Sequence, residues 1–212
     1  MRTHDHPLFT RIYRRIAGWE EQGVVGEARS EAAAGLSGHV LVVGLGPGFD
    51  LGHLPDAVTE VTAIEPSASM RESAADHVAA FDRPIRVIDA VAEDLPLPDA
   101  SVDGVLFAYV LCTVADPDRA LAETRRVLRP DGVVGILEHV RAGDTSWTRR
   151  WQRLAAPVWP YLAGGCHCDR DTRATFEATG FDTAGLRDTV LVNVPPVSPA
   201  LVGTARPRPS AG

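Results

Sequence analysis

Residues Val40 to Asp50 constrain this chain more than any other stretch. They read Val-Leu-Val-Val-Gly-Leu-Gly-Pro-Gly-Phe-Asp. The apolar run is too short for a helix and suits a strand buried on both faces. The glycines arrive where that strand has to stop. Glycine there permits a sharp turn and lets the backbone approach a ligand with no Cβ in the way. A second apolar strand, Val58 to Ile64, ends at Glu65. An acid about twenty residues beyond a glycine turn is placed to bond the hydroxyls of a ribose. A Gly-x-Gly alone is as often a plain tight turn. The two strand ends together point to a nucleotide-like ligand, and their spacing fits S-adenosylmethionine as well as it fits NAD.

Length and charge narrow the class. A chain of 212 residues is expected to form one domain, residues 1–212, with an ample core. A net charge of −7 argues against a nucleic-acid partner. The three cysteines, Cys112, Cys166 and Cys168, are too few for a disulfide framework and suit a reducing cytoplasm. Met1 to Pro7 is polar, so no leader is expected. The longest apolar run, near 105–115, is shorter than a membrane span needs. The expectation is a cytoplasmic protein with no integral membrane segment.

Along the chain, residues 5–34 read as helical, with Phe9, Ile12, Tyr13, Ile16 and Trp19 at helical spacing. This segment, 1–37 with its connector, is either a lid over the glycine turn or a packing helix. Strands follow at 39–44 and 58–64. Ser67 caps a helix running to Ala80. Further strands are expected at Ile85–Asp89, Val102–Ala108 and Val133–Glu138. A helix begins at Asp116-Pro117 and is stopped by Pro130-Asp-Gly132. Ser146 to Ala163 reads as a helix kinked or ended by Pro157 and Pro160. Asp171 to Thr179 is a short helix, and Phe181–Val194 and Val197–Arg206 read as closing strands. Residues 207–212 form a tail. Strands alternating with helices imply an α/β, doubly wound, mostly parallel sheet of seven strands, the last antiparallel. Ligands of such sheets bind beyond the carboxyl ends of the strands. The glycine turn, Glu65, Asp89–Glu93, Ala108–Cys112 and Glu138–His139 all fall there.

Four motifs in this order resemble the class I S-adenosylmethionine-dependent methyltransferases. They are Val40-Leu-Val-Val-Gly-Leu-Gly-Pro-Gly48, Val61-Thr-Ala-Ile-Glu-Pro66, Ala92-Glu-Asp-Leu-Pro96 and Arg126-Val-Leu-Arg-Pro-Asp-Gly132. The resemblance implies a Rossmann-like fold with its cofactor core in 38–140 and acceptor-side helices and closing strands in 141–206. It is closer still to a subgroup that includes membrane-associated alkyl-thiol S-methyltransferases. The residues carrying that likeness are Val110-Leu-Cys-Thr-Val114, Leu137-Glu-His-Val140, Trp147, Trp151-Gln152, Pro157-Val-Trp159, Gly165-Cys166 and Arg170-Asp-Thr172. Those enzymes carry an apolar N-terminal anchor, and no such anchor is expected here from the polar Met1 to Pro7. Three positions depart from the family pattern: Val42 stands where an acid is usual, Pro47 where threonine is, and Asp131 where glycine is.

The resemblance implies S-adenosylmethionine as cofactor, S-adenosylhomocysteine as product and a small-molecule acceptor. Gly44, Leu45, Gly46 and Gly48 would lie against the cofactor. Glu65, with Pro66 and Met70 behind it, would take the ribose hydroxyls; its alternative is a helix N-terminal acid. Ala92 and Glu93 would border the adenine, although Glu93 also reads as a solvated loop acid. Ala108 and Tyr109 close the cofactor side, and Tyr109 and Cys112 face the transfer path.

A thiol acceptor reacts as its thiolate, and His139 is the candidate base by position and ordinary pKa. Its alternative is a structural histidine. Glu138 would orient it only if two neighbours in a strand shared a face, which they do not. Trp147, Trp151 and Trp159 either wall an apolar acceptor pocket or form the core face of the last long helix. Cys166-His167-Cys168 reads as a cover over the acceptor, with Cys166 facing it. Even with His139 added, Cys-x-Cys is too tightly spaced for a structural zinc site, so no metal is expected.

The expected activity is methyl transfer to a small lipophilic acceptor, a thiol ahead of an amine, a phospholipid headgroup or a hydroxyl. The departures at Val42 and Pro47 leave a second reading, a protein that binds the cofactor without turnover. An NAD(P)-linked oxidoreductase is the third; the chain has no lysine and hence no Tyr-x-x-x-Lys pair.

Overall fold

The computed structural model describes residues 10, 11, 13, 15 and 23–209. Phe9, Ile12, Ile16 and Trp19 of the expected N-terminal stripe lie outside the described residues. The helix expected over 5–34 is not continuous. Gly23 has an extended backbone, and a helix runs from Val24 to Ala33 (α1) after it. Glycine loses more backbone freedom in a helix than any other residue, so the break falls there.

Eight strands follow: β1 Gly38–Val43, β2 Val58–Ile64, β3 Ile85–Ile88, β4 Val102–Ala108, β5 Leu128–His139, β6 Phe181–Asp182, β7 Leu186–Val190 and β8 Pro199–Pro207. Between them lie α2 Ala68–Ser73, α3 Ala75–Ala80, α4 Pro117–Val127, α5 Trp147–Ala155, α6 Trp159–Leu162 and α7 Thr172–Ala178. The sheet runs β3-β2-β1-β4-β5-β8, with β6 and β7 both paired to β8. The first five strands are parallel and β8 is antiparallel to β5. The doubly wound, mostly parallel sheet expected from the sequence is therefore present. Among the described residues no helix is long and apolar enough to cross a membrane.

The expected strand over 181–194 is divided. A turn closes where Leu186 N donates to Thr183 O, and Gly185 lies so close to β8 that a Cβ would sit 2.5 Å from Thr204 O. β6 and β7 are thus two halves of one edge position. β5 begins at Leu128, earlier than expected, and its register steps from Val102↔Leu128 to Gly104↔Val133. Arg129 to Gly132 form the extra loop of that irregularity, so Pro130 marks a bulge rather than a clean stop.

Alternation along the strands builds two cores. Leu41, Val43, Val105, Phe107, Val134 and Ile136 face α4 and α7, with Phe176 and Phe181 stacked edge to face. Val40, Val42, Leu106 and Leu137 face α1. Gly135 allows α1 to approach, since a Cβ there would lie 2.2 Å from Ala32 O. The chain order reverses between β1 and β4, which sets a crevice at their carboxyl ends.

The segment after β5 departs most from expectation. The helix over 146–163 is two pieces, cut between Ala155 and Trp159 beside Pro157. Its aromatic stripe is not core: Trp147 is 65% exposed, Trp151 43% and Tyr161 88%. What anchors α5 is polar. Gln152 is fully buried; its Oε1 accepts from Ala142 N at 2.9 Å, and its Nε2 donates to the carbonyls of Val140, Cys168 and Pro196 at 2.8–3.1 Å. One amide therefore joins the end of β5, the cysteine loop and the loop before β8. Replacing it leaves buried backbone groups unpaired. Gln152→Leu is expected to lower stability by about 2–3 kcal/mol, read as an earlier urea midpoint with unchanged slope.

Candidate functional site

The glycine turn sits at the end of β1. Gly44, Gly46 and Gly48 all have positive φ, at 67°, 53° and 91°. A Cβ on Gly44 would lie 2.5 Å from Val110 Cγ2, and one on Gly48 2.9 Å from His77 Cβ. Those two glycines let the turn pack against β4's end and α3. Gly46 differs: among the described residues, nothing lies nearer to its Cβ position than Gly44 O at 3.9 Å. Leu45 points down instead, buried, while its N–H donates to Ile64 O at 3.0 Å.

Glu65 closes β2 and is 7% exposed. Its Oε2 accepts from Gly46 N and its Oε1 from Ser67 N, both at 2.9 Å. The acid at the second strand end thus touches the glycine turn directly. Ser67 caps α2 by accepting from Met70 N at 3.2 Å. Pro66 and Met70 are half-buried along this rim. Ala92 is buried in the core on the other face of the sheet. Glu93 is half-buried, and its Oε1 accepts from Ala115 N at 2.8 Å and Asp116 N at 3.1 Å, fixing the approach to α4.

At the end of β4, Ala108 is buried and Tyr109 takes φ of +60°. Such a backbone in a non-glycine residue is costly and collects at functional sites. Tyr109 is held by its N–H to Leu137 O at 2.7 Å, and its ring stacks on His139 with centroids 4.3 Å apart. Glu138, its side chain directed away from that pair, accepts from the N–H groups of Val110 and Leu111 at 2.7 Å and of Cys112 at 3.2 Å. Burial pushes its carboxyl up to about 7, against the pull of those three donors. It organises the turn after β4 and does not orient His139.

His139 ends β5 and turns its Nδ1 toward Cys166 Sγ, 3.7 Å away. Cys112 completes the group: its Sγ, Cys166 Sγ and a ring nitrogen of His139 all lie within 4.8 Å of one another. Both thiols are buried. Contact with Cys112 and His139 draws the Cys166 thiol well down, while the Cys112 thiol, hydrogen-bonded to Cys166 and buried, is pushed up. Cys168 is buried nearby but stands outside the trio, its thiol pushed up to about 12 by burial. Trp159 packs on the cysteines. Trp147 and Trp151 pair with each other, centroids 6.0 Å apart, on the exposed side of α5. The structure brings Tyr109, Cys112, His139 and Cys166 together and leaves those two tryptophans apart from the trio.

Arg29 and Asp50 were not legible as site residues. They form an ion pair with both side chains less than a tenth exposed. The Arg29 guanidinium also lies 5.6 Å from the Tyr109 ring centroid. Tyr13 reaches the same place; burial pushes its phenol up to about 12, with Arg29 opposing and Asp50 and Cys112 reinforcing. The available signal was an arginine on the buried alanine face of α1, among Ala28, Ala32 and Ala33. Two open grooves, of about 310 and 610 Å³, meet at Arg170 and Asp171 and include neither the glycine turn nor Glu65. Removing one member of a buried ion pair strands the other charge. Arg29→Met is expected to cost about 3–5 kcal/mol, and Arg29→Met with Asp50→Leu much less. Urea unfolding of the single and double variants checks this.

Comparison with known proteins gives the family and the fold. A family model described as a methyltransferase domain matches residues 41–136. Thiol S-methyltransferase TMT1B of Homo sapiens is 33% identical over 178 residues, covering 81% of this chain and 72% of that protein. Thiol S-methyltransferase TMT1A of Homo sapiens is 30% identical over 185 residues, covering 84% and 74%. A crystal structure of a SAM-dependent methyltransferase from Thermotoga maritima matches with a TM-score of 0.67 at 20% identity, over 94% of each chain. That last likeness speaks to the fold alone.

Proposed function

The chain belongs to the S-adenosylmethionine-dependent methyltransferases, and on that premise we propose that its acceptor is a small lipophilic thiol. The observation that carries the acceptor class is the likeness to two thiol S-methyltransferases across more than four fifths of the chain. The group of two buried cysteines and a half-buried histidine at the end of β5 supports it, because thiol transfer needs a place where the proton is lost.

The cofactor's place is the crevice at the reversal of strand order. Gly44, Gly46 and Gly48 form its floor, with Gly46 the point of close approach. Glu65 holds the sugar. A carboxylate offers about four acceptor sites, so fastening the turn and accepting from a sugar hydroxyl are compatible. Pro66 and Met70 line the adenine end, and Ala108 and Tyr109 separate cofactor from acceptor. Val42 is packed against α1 and gives this end no acid.

When bound, S-adenosylmethionine supplies an activated methyl: the acceptor sulfur bonds to that carbon as the sulfonium S–C bond breaks, and the electron pair stays on S-adenosylhomocysteine. The protein's share is alignment and exclusion of water. Tyr109, held in its strained backbone, fixes the His139 ring by stacking. His139 promotes loss of the acceptor's proton, and Cys112 and Cys166 border the acceptor's sulfur.

Three outcomes are expected. Labelled S-adenosylmethionine with a panel of alkyl thiols, amines and phenols transfers label to the thiols; faster transfer to an amine or phenol would replace this acceptor class. Glu65→Ala weakens cofactor affinity by about tenfold or more in calorimetry, and unchanged affinity would remove Glu65 from the sugar site. His139→Ala lowers kcat with a thiol by about 100-fold while cofactor affinity stays within about twofold.

A further inference from the structure

The sequence directs attention to Cys166-His167-Cys168, whose spacing is poor for a metal. The fold makes a different set. Cys112 follows β4, His139 ends β5 and Cys166 lies in the loop after α6, and these three converge at the carboxyl edge of the sheet. We propose that Cys112 Sγ, His139 Nδ1 and Cys166 Sγ hold one transition-metal ion of the zinc class, with its fourth coordination position open to the acceptor's sulfur.

The dimensions fit. With Zn–S near 2.3 Å and Zn–N near 2.0–2.1 Å, the edges between ligands of a tetrahedral site are about 3.5–3.8 Å. His139 Nδ1 and Cys166 Sγ are 3.7 Å apart, and no pair in the trio exceeds 4.8 Å. Small rotations of the cysteine side chains bring the group to coordination distance. Two thiolates and an imidazole are a soft donor set that selects zinc, or other thiophilic ions, over magnesium or calcium.

The supporting contacts also suit a ligand set. The Glu138 carboxylate, bonded to the N–H groups of 110–112, fixes the turn that carries Cys112. His167 N donates to Cys112 O at 2.6 Å, which locks the Cys166 loop to that turn. Stacking on Tyr109 sets the plane of His139. Ligands held by such outer contacts bind metal in a defined geometry. Three protein ligands with a fourth position open is the arrangement of reactive zinc sites, whereas structural sites are closed by four. Cys168, which would close it, is outside the group.

The use of the open position rests on the thiol reading. There the acceptor R–SH binds as R–S⁻ and its proton passes to solvent. The metal stabilises the thiolate, and His139 promotes the proton's loss as a ligand rather than as a free base. The two thiols of the protein lose their protons when the ion binds and stay coordinated through the reaction.

The test uses the full chain, stripped with chelator and titrated with Co²⁺ alone. The expected result is one bound equivalent, with thiolate-to-cobalt charge transfer and the visible bands of a tetrahedral ion, all removed by stoichiometric Zn²⁺. Cys112→Ala, Cys166→Ser and His139→Ala each weaken Co²⁺ binding by more than about 100-fold, while Cys168→Ala retains the spectrum. Circular dichroism establishes that each variant is folded. Absence of charge transfer in the unaltered chain overturns the site, as does a spectrum that survives in a folded Cys112→Ala/Cys166→Ser double variant. Adding an alkyl thiol is expected to shift the visible bands. An unshifted spectrum overturns the role of the open position and leaves the ligand set standing. A shifted spectrum with no methylation of thiols sinks the acceptor proposal and supports the metal site.

Discussion

A carboxylate with no exposure to solvent holds the far end of β4 in place. Glu138 stands in the middle of the sheet's carboxyl edge and takes the N–H groups of three successive residues after the strand. Those groups would otherwise be buried without partners, a cost comparable to a lost hydrogen bond each. By fixing that turn, Glu138 sets three things at once. Val110 comes against Gly44 and shapes the glycine turn from below. Tyr109 is held in its left-handed backbone over His139. Cys112 is delivered to the side where Cys166 waits. Burial pushes its carboxyl up to about 7 against the pull of those donors, and its three backbone contacts make it part of the scaffold that positions the rim.

Glu65 plays the matching part on the other side of the strand-order reversal. It joins the end of β2 to the glycine turn through Gly46 and to the start of α2 through Ser67. The crevice therefore has a buried acid at each flank, and both accept from backbone N–H groups. Arg29 and Asp50 add a buried pair beside Tyr109, which ties α1 to the segment following the glycine turn.

Beyond β5 the chain is fastened by polar contacts rather than by an apolar face. Gln152 does for α5 what a leucine stripe does for an ordinary packed helix, and Arg170 donates to Leu111 O and Val114 O across the same loop. Trp147, Trp151 and Tyr161 lie outside because α5 and α6 are short pieces separated at Pro157. A helix that turns after nine residues does not carry a stripe onto a common core.

Much of the fold was legible because its signals are local. A valine run ending in glycines is a strand and a turn whatever surrounds it, and the acid closing the next strand marks the same rim. Asp116, Ser67, Ser146 and Asp171 each cap the helix that their residue type and position announce. From these the parallel sheet, the cofactor edge and the family follow from sequence alone. What the sequence could not decide is which distant side chains meet. Cys112, rather than Cys168, lies with His139 and Cys166; Glu138 faces the backbone and not the histidine; Arg29 finds Asp50; Trp147 and Trp151 stay outside. Each outcome depends on the path of a loop between elements, and loops are set by where buried polar groups find partners, a property of the assembled structure that no periodicity records.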